Sequence, residues 1–187
     1  MVTKLNDFTV DLEHSLNDES FDKFYLHAFP MAESVETILF NENPAIQRRG
    51  IDKVVHFKNG NKITIDEKMR RIDYGDILLE LYHQGESTGG RKKMGWLYKN
   101  HCDYIAYLVE PTGKVYLLPL LLLQMAYKRN RGLWEKLYPT RKAENKGYTT
   151  FSISIPARVL LDAIKGELSQ RLAEEGTREE AAGHGFL

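Results

Sequence analysis

The stretch from Gln47 to Lys68, QRRGIDKVVHFKNGNKITIDEK, contains two β-periodic runs separated by a polar turn. Asn59-Gly60-Asn61 is the strongest local turn signal in the chain, because Gly and Asn accept backbone conformations that other residues avoid. It predicts a hairpin with arms at 51–57 and 62–68. Strand side chains alternate between faces, so Lys62, Thr64, Asp66 and Lys68 share one face while Ile63 and Ile65 point into a core. Asp52 then lies near the start of one arm, and Asp66 and Lys68 lie at the exposed end of the other. Two carboxylates and an ammonium at one sheet edge suit the holding of a divalent cation against a phosphodiester.

Gly50-Ile51-Asp52, followed after a hairpin by Ile65-Asp66-Glu67-Lys68, resembles the signature of the PD-(D/E)XK nuclease superfamily. Asp52 takes the place of the first acid, Asp66 of the second and Lys68 of the lysine. Ile51 stands where the family's name carries a proline. Downstream, DILLEL (76–81), GWLYK (95–99) and DYIAYL (103–108) are similar to later elements of that fold in small phage-type and bacterial members. The likeness covers roughly residues 20–156. It implies a restriction-endonuclease-like α-β-β-β-α-β core, an α/β fold with a mixed central sheet flanked by helices, extended by a C-terminal strand and helix. It also implies a Mg²⁺- or Mn²⁺-dependent DNA endonuclease. Asp52, Asp66 and the backbone carbonyl of Glu67 would hold the metal, and Lys68 would orient water and stabilise charge on the scissile phosphate. An ammonium beside two carboxylates stays protonated, which favours that electrostatic role over general base.

The bulk properties agree with a soluble domain. The chain has 187 residues, 42% hydrophobic and 28% charged, enough for one domain with a substantial core. The expected division is a single nuclease-like domain over 1–176 and a flexible tail over 177–187. Cys102 is the single cysteine, which excludes an internal disulfide and cysteine-cluster metal sites and suits a reducing cytoplasm. MVTKLND offers no apolar signal-peptide core, and the greasy run 115–123 is too short to span a bilayer. Net charge is zero, but residues 45–146 hold 20 basic and 11 acidic side chains. Such segregation can build a basic surface beside a neutral average.

Along the chain, 7–29 reads as a helix stopped by Pro30, and 35–40 as a short strand or a helix end. Asp76 to His83 reads as a third strand, central and buried on both faces. A short helix through Trp96, strands at 103–110 and 114–118, and an apolar helix over 120–138 follow. A polar loop at 140–149, a strand at 150–155 and an amphipathic helix over 157–175 complete the pattern.

Supporting residues surround the proposed site. Glu80, a carboxylate inside an apolar strand, completes the metal shell, holds Lys68, or faces an edge lysine. Asp22 is the preferred helix acid over Glu13 and Asp18, and Gln47 is a further supporting residue or a loop-capping amide. Arg48, Arg49, Arg70, Arg71, Arg91, Lys92, Lys93 and Lys99 are candidate nucleic-acid contacts, which give affinity without sequence choice. Lys128, Arg129 and Arg131 form a second possible grip. Trp96 stacks on a base or, more often for such residues, fills a core. DNA is the expected partner, with RNA as a weaker reading. The stripe on 157–175 serves a homodimer or, more simply, covers the sheet. The rival to the enzyme is a catalytically inactive module of the same scaffold that binds nucleic acid or protein.

Overall fold

The computed structural model describes the backbone of residues 19–183 and the side chains of residues 21–175. The fold is α/β with two sheets. Helix α1 (Glu19–Ala28) ends just before Pro30 and leads into strand β1 (Ala32–Thr37). A short helix α2 (Pro44–Gln47) opens on a proline, whose fixed φ suits a helix start. Strands β2 (Lys53–Phe57) and β3 (Lys62–Arg70) form the expected hairpin, with Gly60 at φ +83° in its turn.

Strand β4 (Asp76–Gln84) leaves this sheet. After it come the two-residue strand β5 (Lys93–Met94), the short helix α3 (Trp96–Lys99), and strands β6 (Tyr104–Val109) and β7 (Lys114–Pro119). Helix α4 (Leu120–Leu137), strands β8 (Thr140–Asn145) and β9 (Tyr148–Pro156), and helix α5 (Ala157–Gly183) complete the described chain.

The first sheet has the order β1-β2-β3-β6-β7 and the second β5-β4-β9-β8. Strands β1, β2 and β3 form an antiparallel meander, and β6 runs parallel to β3 with Asp66 opposite Ile105. Asp103 fixes that parallel register. Its carboxylate accepts from the Thr64 backbone N–H (2.7 Å) and hydroxyl (2.8 Å), just upstream of Asp66.

Alternation along β3 divides the interior. Ile65 and Val55 pack with Tyr25 and Ala106 beneath α1. The other face of the first sheet contributes Val54, Ile105, Tyr107 and Leu118 to the main core. That core also holds Ile77, Leu79, Ile153 and Ile155 from the second sheet, and Leu123, Tyr127, Leu160 and Ile164 from α4 and α5.

Three expectations are corrected. The segment 76–83 is not the third strand of the hairpin's sheet; β1 takes that place, and β4 pairs instead with β9 and β5. Of the β4 residues only Ile77 and Leu79 are fully buried, so one face is core and the other is half-open. The polar stretch 140–145 is a strand, because as an edge with exposed side chains it needs no apolar alternation. No helix among the described residues is long and apolar enough to cross a membrane.

Candidate active site

The tight turn after α2 brings the chain to Asp52. Gly50 there adopts φ +71°, where an L side chain is strained, and a Cβ on it would collide with the Asn100 side chain. Asp52 is 5% exposed, and its Oδ2 accepts from the backbone N–H of Glu67 at 2.8 Å. Across the hairpin lies Asp66, 2% exposed. Its Oδ1 accepts from Lys68 Nζ at 2.6 Å and its Oδ2 from Asn100 Nδ2 at 2.7 Å. The Asp52 carboxyl lies close enough to Asp66 for its charge to raise the Asp66 pKa. Lys68 Nζ also donates to the Glu67 carbonyl at 3.2 Å.

Electrostatics follow from that burial. Loss of solvent pushes the Asp66 carboxyl up, Lys68 opposes, and the Asp52 charge adds, leaving Asp66 at about 8. Burial alone would lower the Lys68 ammonium, but the carboxylates of Asp66, Asp52 and Glu80 outweigh it and hold Lys68 above its ordinary value. The pair of acids therefore holds a proton near neutral pH, while Lys68 remains an ammonium.

The reverse face of β3 carries a second polar cluster. Tyr25 donates to Glu67 Oε1 at 2.8 Å, and Glu67 Oε2 is buried with no hydrogen-bond partner. Burial lifts Glu67 to about 7, opposed by the Tyr25 hydrogen bond and the Lys53 charge. Lys53, fully buried, donates to Asp22 at 2.7 Å and to Thr37 at 2.9 Å. Helix α1 is thus tied by a hydrogen bond to the back of β3, which carries Asp66 and Lys68, and by an ion pair to the adjoining strand β2.

Seen against the sequence, Asp52, Asp66, Lys68 and the Glu67 carbonyl are brought together. They do not lie at an exposed strand end: Asp52 and Asp66 are buried, Asn100 lies on Asp66, and only Lys68 keeps modest exposure, 18% of its side chain. Glu80 reaches the site as a charge on Lys68, and its carboxylate lies 3.6 Å from His83 Nδ1. Asp22 does not join the acids: Lys53 holds it on the α1 side of the sheet. Glu13 and Asp18 fall outside the described residues. Gln47 closes α2, its carbonyl accepting from Gly50 and its side chain half-buried.

The basic residues divide. Arg49, Arg71, Arg91, Lys93 and Lys99 are exposed. Arg48 lies over Phe40, and Lys92 over the Tyr82 ring. Arg70 is instead engaged by Asp76 at 2.8 Å and by the Tyr74 ring, so it is a structural clamp. In the second proposed grip Arg129 is committed to the buried Glu167 and Arg131 to Glu135, leaving Lys128 exposed. Trp96 is core, 8% exposed.

No family model, curated protein or solved structure matches this chain.

Three residues of these clusters carry no advance signal in the sequence. Asn100 reads as a loop amide after a helix, Lys53 as one lysine among many, and Tyr25 as part of an apolar stripe. Only the positive-φ glycine at 50 and the parallel register of β6 bring Asn100 onto Asp66. As a potential cation site, the residues fit the chemistry of a hard ion. Two carboxyl groups, Asp52 and Asp66, lie together with the Glu67 backbone carbonyl beside Lys68 Nζ. Among the described residues no group of three or more His, Cys, Asp or Glu side chains is placed to hold a metal. Such an ion would therefore take Asp52, Asp66, the Glu67 carbonyl and waters.

Proposed function

We propose that the protein is a metal-dependent phosphodiester hydrolase, a DNA endonuclease of the PD-(D/E)XK type using Mg²⁺ or Mn²⁺. The observation that carries this reading is the burial of Asp52 and Asp66 on adjoining arms of the hairpin, with Asp52 Oδ2 on the Glu67 N–H at 2.8 Å and Lys68 Nζ 2.6 Å from Asp66. The topology supports it. Around the first sheet, helix α1, the meander β1-β2-β3 and the parallel strand β6 match the α-β-β-β…β part of that superfamily's order. Helix α2 is inserted after β1, and β4, β5 and the four-residue α3 are inserted before β6. The acids lie on β3 and just before β2.

In this reading Asp52, Asp66 and the Glu67 carbonyl hold the ion. When bound, it supplies a water activated for attack and neutralises charge on the phosphate. Lys68 remains protonated, so it orients that water and stabilises phosphate charge rather than abstracting a proton. Asn100 fixes the rotamer of Asp66. Glu80 adds negative charge that keeps Lys68 an ammonium.

A second reading, a catalytically inactive nucleic-acid-binding or protein-interaction module, is favoured by one fact: both oxygens of Asp66 already have protein donors. Incubating the pure protein with supercoiled plasmid, single-stranded DNA and RNA side by side, in Mg²⁺, Mn²⁺ or EDTA, separates the two. The hydrolase reading requires cleavage in metal that stops in EDTA. Intact substrates in every metal condition refute it.

A further inference from the structure

The second sheet carries a feature that the proposed reaction does not use. Tyr82 on β4 and Phe151 on β9 are direct cross-strand partners, their rings stacked at 4.6 Å and 16°. Lys92 Nζ lies over the Tyr82 ring at 4.4 Å from its centroid, and Lys142 Nζ lies 5.5 Å from the centroid of Phe151. Lys142 is itself the register partner of Phe151, and Met94 that of Tyr82. One row therefore crosses all four strands.

Its direction relative to the acids is set by an irregularity. The register shifts between Glu80, paired with Ser152, and Tyr82, paired with Phe151. Because Ser152 and Phe151 are adjacent, they point to opposite faces, so Glu80 and Tyr82 do too, Tyr82 and Phe151 continuing the face of Leu79 and Ile153 beyond the core. The edge strand β5 pairs with Tyr82 and His83 of β4. Arg91, Lys92 and Lys93 lead into Gly95, which has no Cβ and lies against the Glu80 backbone and side chain beside the site. Opposite, exposed Arg141 and Lys142 on β8 outnumber that strand's one acid, Glu144. Neither Lys92 nor Lys142 meets a carboxylate among the described residues.

We propose that the row Lys92, Tyr82, Phe151 and Lys142 is a platform for single-stranded DNA, from which β5 guides the strand toward Asp52, Asp66 and Lys68. This rests on the hydrolase reading and names its substrate class. An exposed lysine over a ring is held more weakly than a base stacked on that ring. An incoming base displaces the ammonium, whose flexible stem lets it move onto the neighbouring phosphate. A duplex keeps its bases stacked inside and meets only the lysines.

The test is fluorescence anisotropy of labelled oligothymidine and of a duplex of equal length, with the full chain in EDTA so that nothing is cut. Tyr82→Leu combined with Phe151→Leu should weaken single-strand binding ~tenfold or more and duplex binding far less. Lys92→Gln with Lys142→Gln should weaken both and lower the salt slope by ~1–2. Single-strand affinity within about twofold of the parent in a folded aromatic variant overturns the platform, as does an equal loss for duplex. If the aromatic variant does not fold, the lysine pair decides: unchanged single-strand affinity and salt slope overturn the proposal. Calorimetry with Mn²⁺ keeps the two readings apart. Single-strand binding through this row without Mn²⁺ binding refutes the hydrolase and not the platform. Mn²⁺ binding with no effect of the row refutes the platform alone.

Discussion

Asp52 and Asp66 stand on adjoining arms of one hairpin, Asp52 Oδ2 accepting from the N–H of Glu67 next to Asp66, in a pocket where Asp66 is 2% exposed. Two carboxylates so placed disfavour each other's ionised form, and Lys68 offsets that only in part. With Asp66 lifted to about 8 by burial, the metal-free site holds a proton that an incoming ion must displace. Mn²⁺ affinity is therefore expected to rise as pH increases toward 8, with about one proton released per ion bound near neutrality. Titration calorimetry in buffers of different ionisation enthalpy measures that release directly. A heat independent of buffer contradicts it.

The same protons set the pH dependence of stability. Asp66 moves from 3.8 to about 8, and Glu67 from 4.5 to about 7, so between these limits the folded chain binds protons the unfolded chain has lost. Their contribution is fully present below the unfolded values and is lost as pH rises through the folded ones. Metal-free protein should lose stability from about pH 5 to pH 8, at most ~1.4 kcal/mol per pH unit for each proton. Asp66→Asn, which cannot ionise, should flatten that slope and be at least as stable as the parent at pH 8. Urea denaturation at several pH values in EDTA checks both.

Lys68→Ala removes the ammonium nearest the acids, and Asp66→Asn removes one proposed ligand. Each should lower metal-dependent plasmid cleavage by ~10²-fold or more while circular dichroism and the melting profile keep the parent fold. Cleavage persisting in either variant would assign the activity to another site or another protein.

The hairpin was legible because its signals are local: a turn at 59–61, strict alternation in Ile63, Ile65 and their neighbours, and charges two residues apart. Those signals place Asp52, Asp66 and Lys68 without tertiary information. The partners of β4 were not legible, since an apolar strand pairs equally well in either sheet and only long-range packing against β9 decides. Asp22 misled for a similar reason. A carboxylate beside an apolar stripe points toward the sheet, but which buried group it meets depends on Lys53, whose depth no local pattern reports. Arg70, Arg129 and Arg131 looked like free cations because their acids, Asp76, Glu167 and Glu135, lie on β4, on α5 and one helical turn away.

Gly50 couples the backbone to the acids. Gly50→Ala places a Cβ where Asn100 now sits and forces a strained φ of +71°. The strain should cost about 1–2 kcal/mol. Displacing Asn100 should also free the Asp66 Oδ2 that it bonds. A thermal melt reports the first effect and the cleavage rate the second. Asn100→Ala should reproduce the rate loss with a smaller change in stability.

A shared cation site at Asp52 and Asp66 is tested most directly by titrating Mn²⁺ into chelator-stripped protein by calorimetry, alongside Asp52→Asn and Asp66→Asn. Saturable, stoichiometric binding by the parent that is lost or strongly weakened in both variants is the expected result. A parent chain that takes up no Mn²⁺, or variants that bind it as the parent does, would contradict a metal centre at this hairpin.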